Sequence, residues 1–101
     1  MNKNIESVMS EFQASADGLF FYFSRKFKDA AYSLDREKDE NVFQQLGSQY
    51  TSGFKAQLTE IALELVEKNR SLVENADQMQ RSISQRLDVY VNEFGQQTKQ
   101  L

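Results

Sequence analysis

Histidine, cysteine, proline and tryptophan are all absent from the 101 residues of the chain. Without His there is no imidazole base, no Ser–His nucleophile and almost no route to a transition-metal site. The Glu-x-x-His pairs of a di-iron carboxylate bundle cannot be built either. Without Cys there is no disulfide framework, no thiolate ligand and no redox pair. This fits a reducing cytoplasm and is compatible with export by a route that needs no signal peptide. Without Pro, nothing in the covalent chain forces a helix to break. Glycine is scarce at four residues. Gly47 and Gly53 match neither a dinucleotide fingerprint nor a P-loop.

Two further absences concern membranes. The start, Met1-Asn2-Lys3-Asn4-Ile5-Glu6, has no apolar run of the roughly 7–15 residues that a signal peptide needs. The most apolar stretch, Leu19 to Phe23, falls far short of the ~20 residues that cross a bilayer as a helix. No stable membrane insertion is expected.

What is present favours helix. Charged residues make up 27% of the chain, and the net charge is −3. Gln, Glu, Lys, Leu and Ala are plentiful, and all are good helix formers. From Ile5 an apolar stripe runs through Val8, Met9, Phe12, Ala16, Leu19, Phe20, Phe23, Phe27, Ala30 and Leu34 in steps of threes and fours. That spacing holds one face of a helix. A second stripe runs through Phe54, Leu58, Ile61, Leu65, Leu72, Ala76, Met79, Ile83, Leu87, Tyr90 and Phe94. No alternating run indicates a strand.

The expected fold class is therefore all-α, in one domain over residues 1–101. Between the stripes, Leu46-Gly47-Ser48-Gln49-Tyr50-Thr51-Ser52-Gly53 concentrates two Gly, two Ser and a Thr. This reads as a turn over 47–52, joining arms of about 4–46 and 53–95 in an antiparallel helical hairpin. Gly95 then reads as a C-terminal stop. The alternative is three helices over about 4–35, 41–69 and 71–95. It takes the apolar-free run Asp35 to Glu40 as a loop and Ser71-x-x-Glu74 as a capping box. A lone hairpin has a thin core, so completion by oligomerisation or by a partner is expected.

Chemistry finds little support. Glu60, Glu64 and Glu67 share a helix face, where Glu64 and Lys68 are spaced as a stabilising i, i+4 pair. They read as a solvated face, not as ligands or acid–base groups. Arg25, Lys26 and Lys28 follow the aromatic run, a juxtaposition found in single-strand binding sites and in membrane-surface helices. Yet Phe20, Phe23 and Phe27 belong to the core stripe, so binding to nucleic acid is a minor alternative. The chain is expected to be no enzyme, to need no cofactor and to take no small-molecule substrate.

The apolar residues exceed what one stripe can bury. Phe20, Phe21, Tyr22 and Phe23 are consecutive, and each is turned about 100° from the last on a helix. If Phe20 and Phe23 face inward, Phe21 points to a second face with Ala14, Gly18 and Tyr32. Ile61 and Leu65 serve the second stripe, while Leu63 and Val66 widen it. The residues expected to meet a partner are thus Phe20, Phe21, Phe23, Phe27, Ile61, Leu63, Leu65 and Val66. The partner is either another helical protein or a second copy, two hairpins then forming a four-helix bundle.

About 100 residues, two amphipathic arms and a central small-residue turn together resemble the WXG100 family and the small helical targeting partners of LXG toxins in type VII secretion. The resemblance covers the whole chain through shape and pattern. Leu46-Gly47-Ser48 stands where that family has its Trp-x-Gly signature. In Tyr90-Val91-Asn92-Glu93 the acidic residue comes three positions after the Tyr, where the family's export motif has it four on. No functional residue carries over. The resemblance implies an adaptor, chaperone or targeting partner, and small secretion chaperones of other systems share these features.

Overall fold

A computed structural model describes residues 3–100. The signal-peptide reading, which starts at Met1, lies partly outside them. Among the described residues the chain is all-α, with three helices: α1 over Ile5–Ala31, α2 over Glu40–Asn69 and α3 over Ala76–Gln100. The hairpin with a turn at 47–52 is not formed, because that segment lies inside the 30-residue α2. The three-helix alternative is the arrangement observed.

Each boundary has a local cause. Asn4 caps α1 by accepting the Glu6 N–H at 2.8 Å. The Lys3 N–H donates to the Leu72 carbonyl, pinning the entry to α1 against the α2–α3 connection. After α1, the charged run forms a loop around two carboxylates. Asp35 accepts from the Glu37 and Lys38 N–H groups at 2.9 and 3.2 Å, and Asp39 accepts from the Asp35 N–H at 2.9 Å. Such Asx bonds offer the backbone an alternative to helix, which is why the chain turns here. The α3 cap is Asn75, whose side chain accepts from the Gln78 N–H at 3.0 Å. The expected capping box at Ser71–Glu74 lies in a turn ahead of it, and α3 begins at Ala76.

The helices run up, down and up. Polar contacts between α1 and α3 join residues 73 apart, Ser24 to Gln97 and Asp17 to Tyr90, so these two helices are parallel. The result is a rod of 57 × 18 × 17 Å. Its radius of gyration, 16.1 Å, exceeds the roughly 13 Å of a compact chain of this length. The core is aromatic at one end and aliphatic at the other. Phe23, Phe27, Phe43, Phe54 and Phe94 fill the first, while Val8, Leu58, Val66, Met79, Ile83 and Leu87 fill the second, with Phe12 among them.

The glycines that suggested a turn are packing residues. No described residue has a positive φ, so none adopts the left-handed conformation that a glycine turn or stop requires. Gly47 is buried, and a Cβ there would lie 3.1 Å from Thr98 Oγ1 across the α2–α3 contact. A Cβ on Gly53 would lie 3.2 Å from the Phe23 ring. Both glycines sit at close approaches between helices, not at a bend. Gly95 is likewise helical, and α3 continues past it to Gln100. Around Gly18, by contrast, a Cβ would meet nothing within 4 Å.

This contrast sets a test by urea denaturation. Gly18→Ala is expected to raise stability by about 0.5–1 kcal/mol, the usual gain for Ala over Gly inside a helix. Gly47→Ala and Gly53→Ala carry the same propensity gain but bring a Cβ to 3.1 Å of Thr98 Oγ1 and 3.2 Å of the Phe23 ring, so each should gain less than Gly18→Ala. If all three variants were stabilised alike, the close contacts of α2 would be disproved.

Candidate interaction surface

The eight residues expected at a partner surface divide into three groups. Phe23, Phe27 and Val66 are buried in the chain's own core. Phe20, Ile61 and Leu65 are half-buried and packed against it. Phe21 and Leu63 project to solvent, 69% and 58% exposed. The structure does not join these last two into one patch. Phe20 and Phe23 pack on Phe54, and Leu63 lies nine residues further along α2, roughly 13 Å down the rod.

The division follows from having three helices. A hairpin would bury one stripe per arm. In the bundle α2 faces two neighbours, so its buried face widens to include both Leu58 and Val66. The apolar breadth of residues 61–66, expected to need an outside partner, is therefore mostly used inside the chain. Leu63 alone of its apolar residues stays outside, among polar neighbours such as Glu60 and Glu67.

On α1 the aromatic run separates as its 100° steps require. Phe20 sits edge-on to both Phe54 and Phe94, at 5.6 and 5.5 Å between ring centroids. Phe21 points outward, on the same side as the exposed Ala14, Gly18 and Tyr32. Tyr22 is also more than half exposed, and its ring lies 5.6 Å from Lys26 Nζ. Sequence reasoning did not single out Tyr22 or Val89 as exposed. Val89 falls between Leu87 and Tyr90 of the α3 stripe, and that offset is the signal that places it outside. It borders a groove of about 610 Å³ between α1 and α3, along with Ile5, Met9 and Arg86.

The polar contacts are structural clasps. The Ser24 hydroxyl donates to Gln97 Oε1 at 2.7 Å, and the Tyr90 hydroxyl donates to Asp17 Oδ1 at 2.6 Å. They tie α1 to α3 on either side of the Phe20–Phe94 contact. Burial, the bond to Asp17 and the negative charge of that carboxylate push the Tyr90 phenol up to about 12, against the smaller opposing effect of Arg86. Asn69 is fully buried at the end of α2. Its Nδ2 donates to the Leu65 carbonyl at 2.8 Å, and its Oδ1 has no partner among the described residues. Among the described residues the ion pairs are Lys3–Glu11 and Glu67–Arg70, each at 3.1 Å. The expected Glu64–Lys68 pair is not formed. Among the described residues no cluster of His, Cys, Asp or Glu could hold a metal, and no helix is long and apolar enough to cross a membrane. No protein family, curated protein or solved structure matches the chain.

The Tyr90–Asp17 clasp yields a pH test. The folded-state phenol is raised above its ordinary value near 10, so its contribution to stability is fully present below pH 10 and is lost as pH rises toward 12. Tyr90→Phe is expected to lower stability at neutral pH, and its gap from the parent should narrow between pH 10 and 12. An absorbance titration of the four tyrosines should lose its latest-ionising component in the same variant. A gap that stayed constant across that window would show that the hydroxyl contributes nothing specific.

Proposed function

We propose that the chain is a non-enzymatic helical interaction module whose outward α1 face, centred on Phe21, docks against a helix of another protein chain. One observation carries this reading. A large aromatic ring stands 69% exposed one helical turn from Gly18, a residue the chain's own packing does not need. An interior helical glycine in open space costs roughly 1 kcal/mol and gives the isolated fold nothing in return. A partner helix passing close over it gives both features a use, with the glycine admitting the backbone and the ring supplying the buried anchor. A role as adaptor, chaperone or targeting partner of a helical, exported protein is the narrower form of this reading. Leu63 would mark a second, separate contact. With three helices in each chain, two copies would not reproduce the four-helix bundle of paired hairpins.

Polar replacement distinguishes surface from core. Phe21→Ser and Leu63→Ser are expected to leave the isolated chain folded, with midpoints within a few degrees of the parent. Phe23→Ser and Leu58→Ser remove buried core residues and should unfold it, since such losses cost about 2–5 kcal/mol. A photo-reactive residue placed at position 21 in cells should form adducts with a protein chain, while the same residue at the exposed Gln80 on α3 should not. If position 21 is as silent as position 80, the docking reading fails.

A further inference from the structure

We propose that α1 pairs with the α1 of a second copy in antiparallel register, Phe21 of each copy seating on Gly18 of the other. The inference rests on the docking reading above and names its partner. Ser7, Glu11, Ala14, Gly18, Phe21, Arg25, Lys28 and Tyr32 are all exposed and follow one another in alternating steps of four and three residues. That spacing is a straight seam of the kind along which helices pair. It covers about 38 Å of the rod.

The seam is asymmetric in a self-complementary way. Its first half is small or acidic: Ser7, Glu11, Ala14 and Gly18. Its second half is large or basic: Phe21, Arg25, Lys28 and Tyr32. A two-fold axis between Gly18 and Phe21 lays one half on the other. Phe21 then meets Gly18, Arg25 meets Ala14, Lys28 meets Glu11, and Tyr32 meets Ser7. Phe21, Arg25 and Tyr32 each land on a small side chain, and Lys28 on the seam's one acid. Lys3 already holds Oε1 of Glu11 at 3.1 Å, which leaves Oε2 for Lys28 of the other copy.

Registers one heptad away lose this match. One sets Gly18 against Ala14 and Phe21 against Glu11, leaving a gap and an unpaired charge. The other sets Phe21 against Arg25 and Lys28 against Gly18. A parallel pair fares worse, because it stacks Gly18 on Gly18 and Lys28 on Lys28. The two-fold arrangement is closed, so it stops at a dimer. A Cβ at Gly18 would meet nothing within 4 Å, so the glycine face is open to an approaching side chain.

The purified chain at about 200 µM should sediment as a dimer that dissociates on dilution, as expected for an interface at the small end of the range. Phe21→Ser should weaken it at least thirtyfold. Gly18→Gln should raise the thermal midpoint of the monomer and still abolish the dimer, a pair of effects that no purely structural role of Gly18 produces. Lys28→Glu and Glu11→Lys should each weaken pairing, and the double variant should restore it. The natural absence of cysteine makes orientation readable. With a short bismaleimide, a mixture of Ala14→Cys and Arg25→Cys chains should give the mixed cross-link, and neither chain alone should cross-link. A monomer at this concentration overturns self-pairing, and so do same-site cross-links or a dimer indifferent to Phe21→Ser. If the monomeric chain still forms adducts at position 21 with a different protein, the docking reading survives and this inference does not.

Discussion

Phe54 of α2 and Phe94 of α3 stack face to face, 4.9 Å apart and 19° from parallel. The rings of Phe20 and Phe23 on α1 close on that stack edge-on, with centroids 5.5–6.4 Å away. Edge-to-face and offset contacts are the favoured arrangements of aromatic quadrupoles, and they are directional. A single cluster of four rings therefore sets the relative height of all three helices. Sliding one helix by a residue would turn its ring out of the cluster. The remaining core contacts along the rod follow from this register.

The small residues of α2 and α3 serve the same register. Phe23 passes close over Gly53, and Thr98 of α3 close over Gly47, where a Cβ would lie 3.2 and 3.1 Å from them. Thr51 turns its hydroxyl back to the Gly47 carbonyl at 2.7 Å and presents its methyl near Gly95. The polar clasps Ser24–Gln97 and Asp17–Tyr90 then hold α1 and α3 parallel at the heights the rings dictate. With these faces turned inward, the outward faces are left over. Only there does the chain keep apolar side chains of no use to its own core, with Phe21 and Leu63 foremost.

The 3.6-residue stripes made the helical class legible, as did the inward role of Phe12, Phe54, Leu58, Ile83 and Phe94. So was the outward direction of Phe21, which follows from its place in a run of four aromatics. The position of the breaks was not legible. Asp35 to Glu40 and Leu46 to Gly53 are both plausible connections from composition. Polarity and small size describe a loop and a tight helix crossing equally well. Only the Asx bonds around Asp35 and Asp39 separate the two, and these bonds form in space. Phe23, Phe27 and Val66, expected at a partner surface, are core: Phe23 packs on Phe54 of α2 and Phe94 of α3, and Phe27 on Phe43 and Tyr50 of α2.

By itself the sequence determined an all-helical chain, since periodicity and propensity are local properties that every window of residues carries. It also determined that imidazole and thiolate chemistry is absent, because composition cannot be altered by folding. Tertiary structure decided the number of helices, the purpose of each glycine and which surplus apolar residues face solvent. Those depend on what lies across from a side chain: the Thr98 hydroxyl opposite Gly47, the Phe23 ring opposite Gly53, and open space opposite Gly18. Distance between elements is set by packing, and no local pattern encodes it.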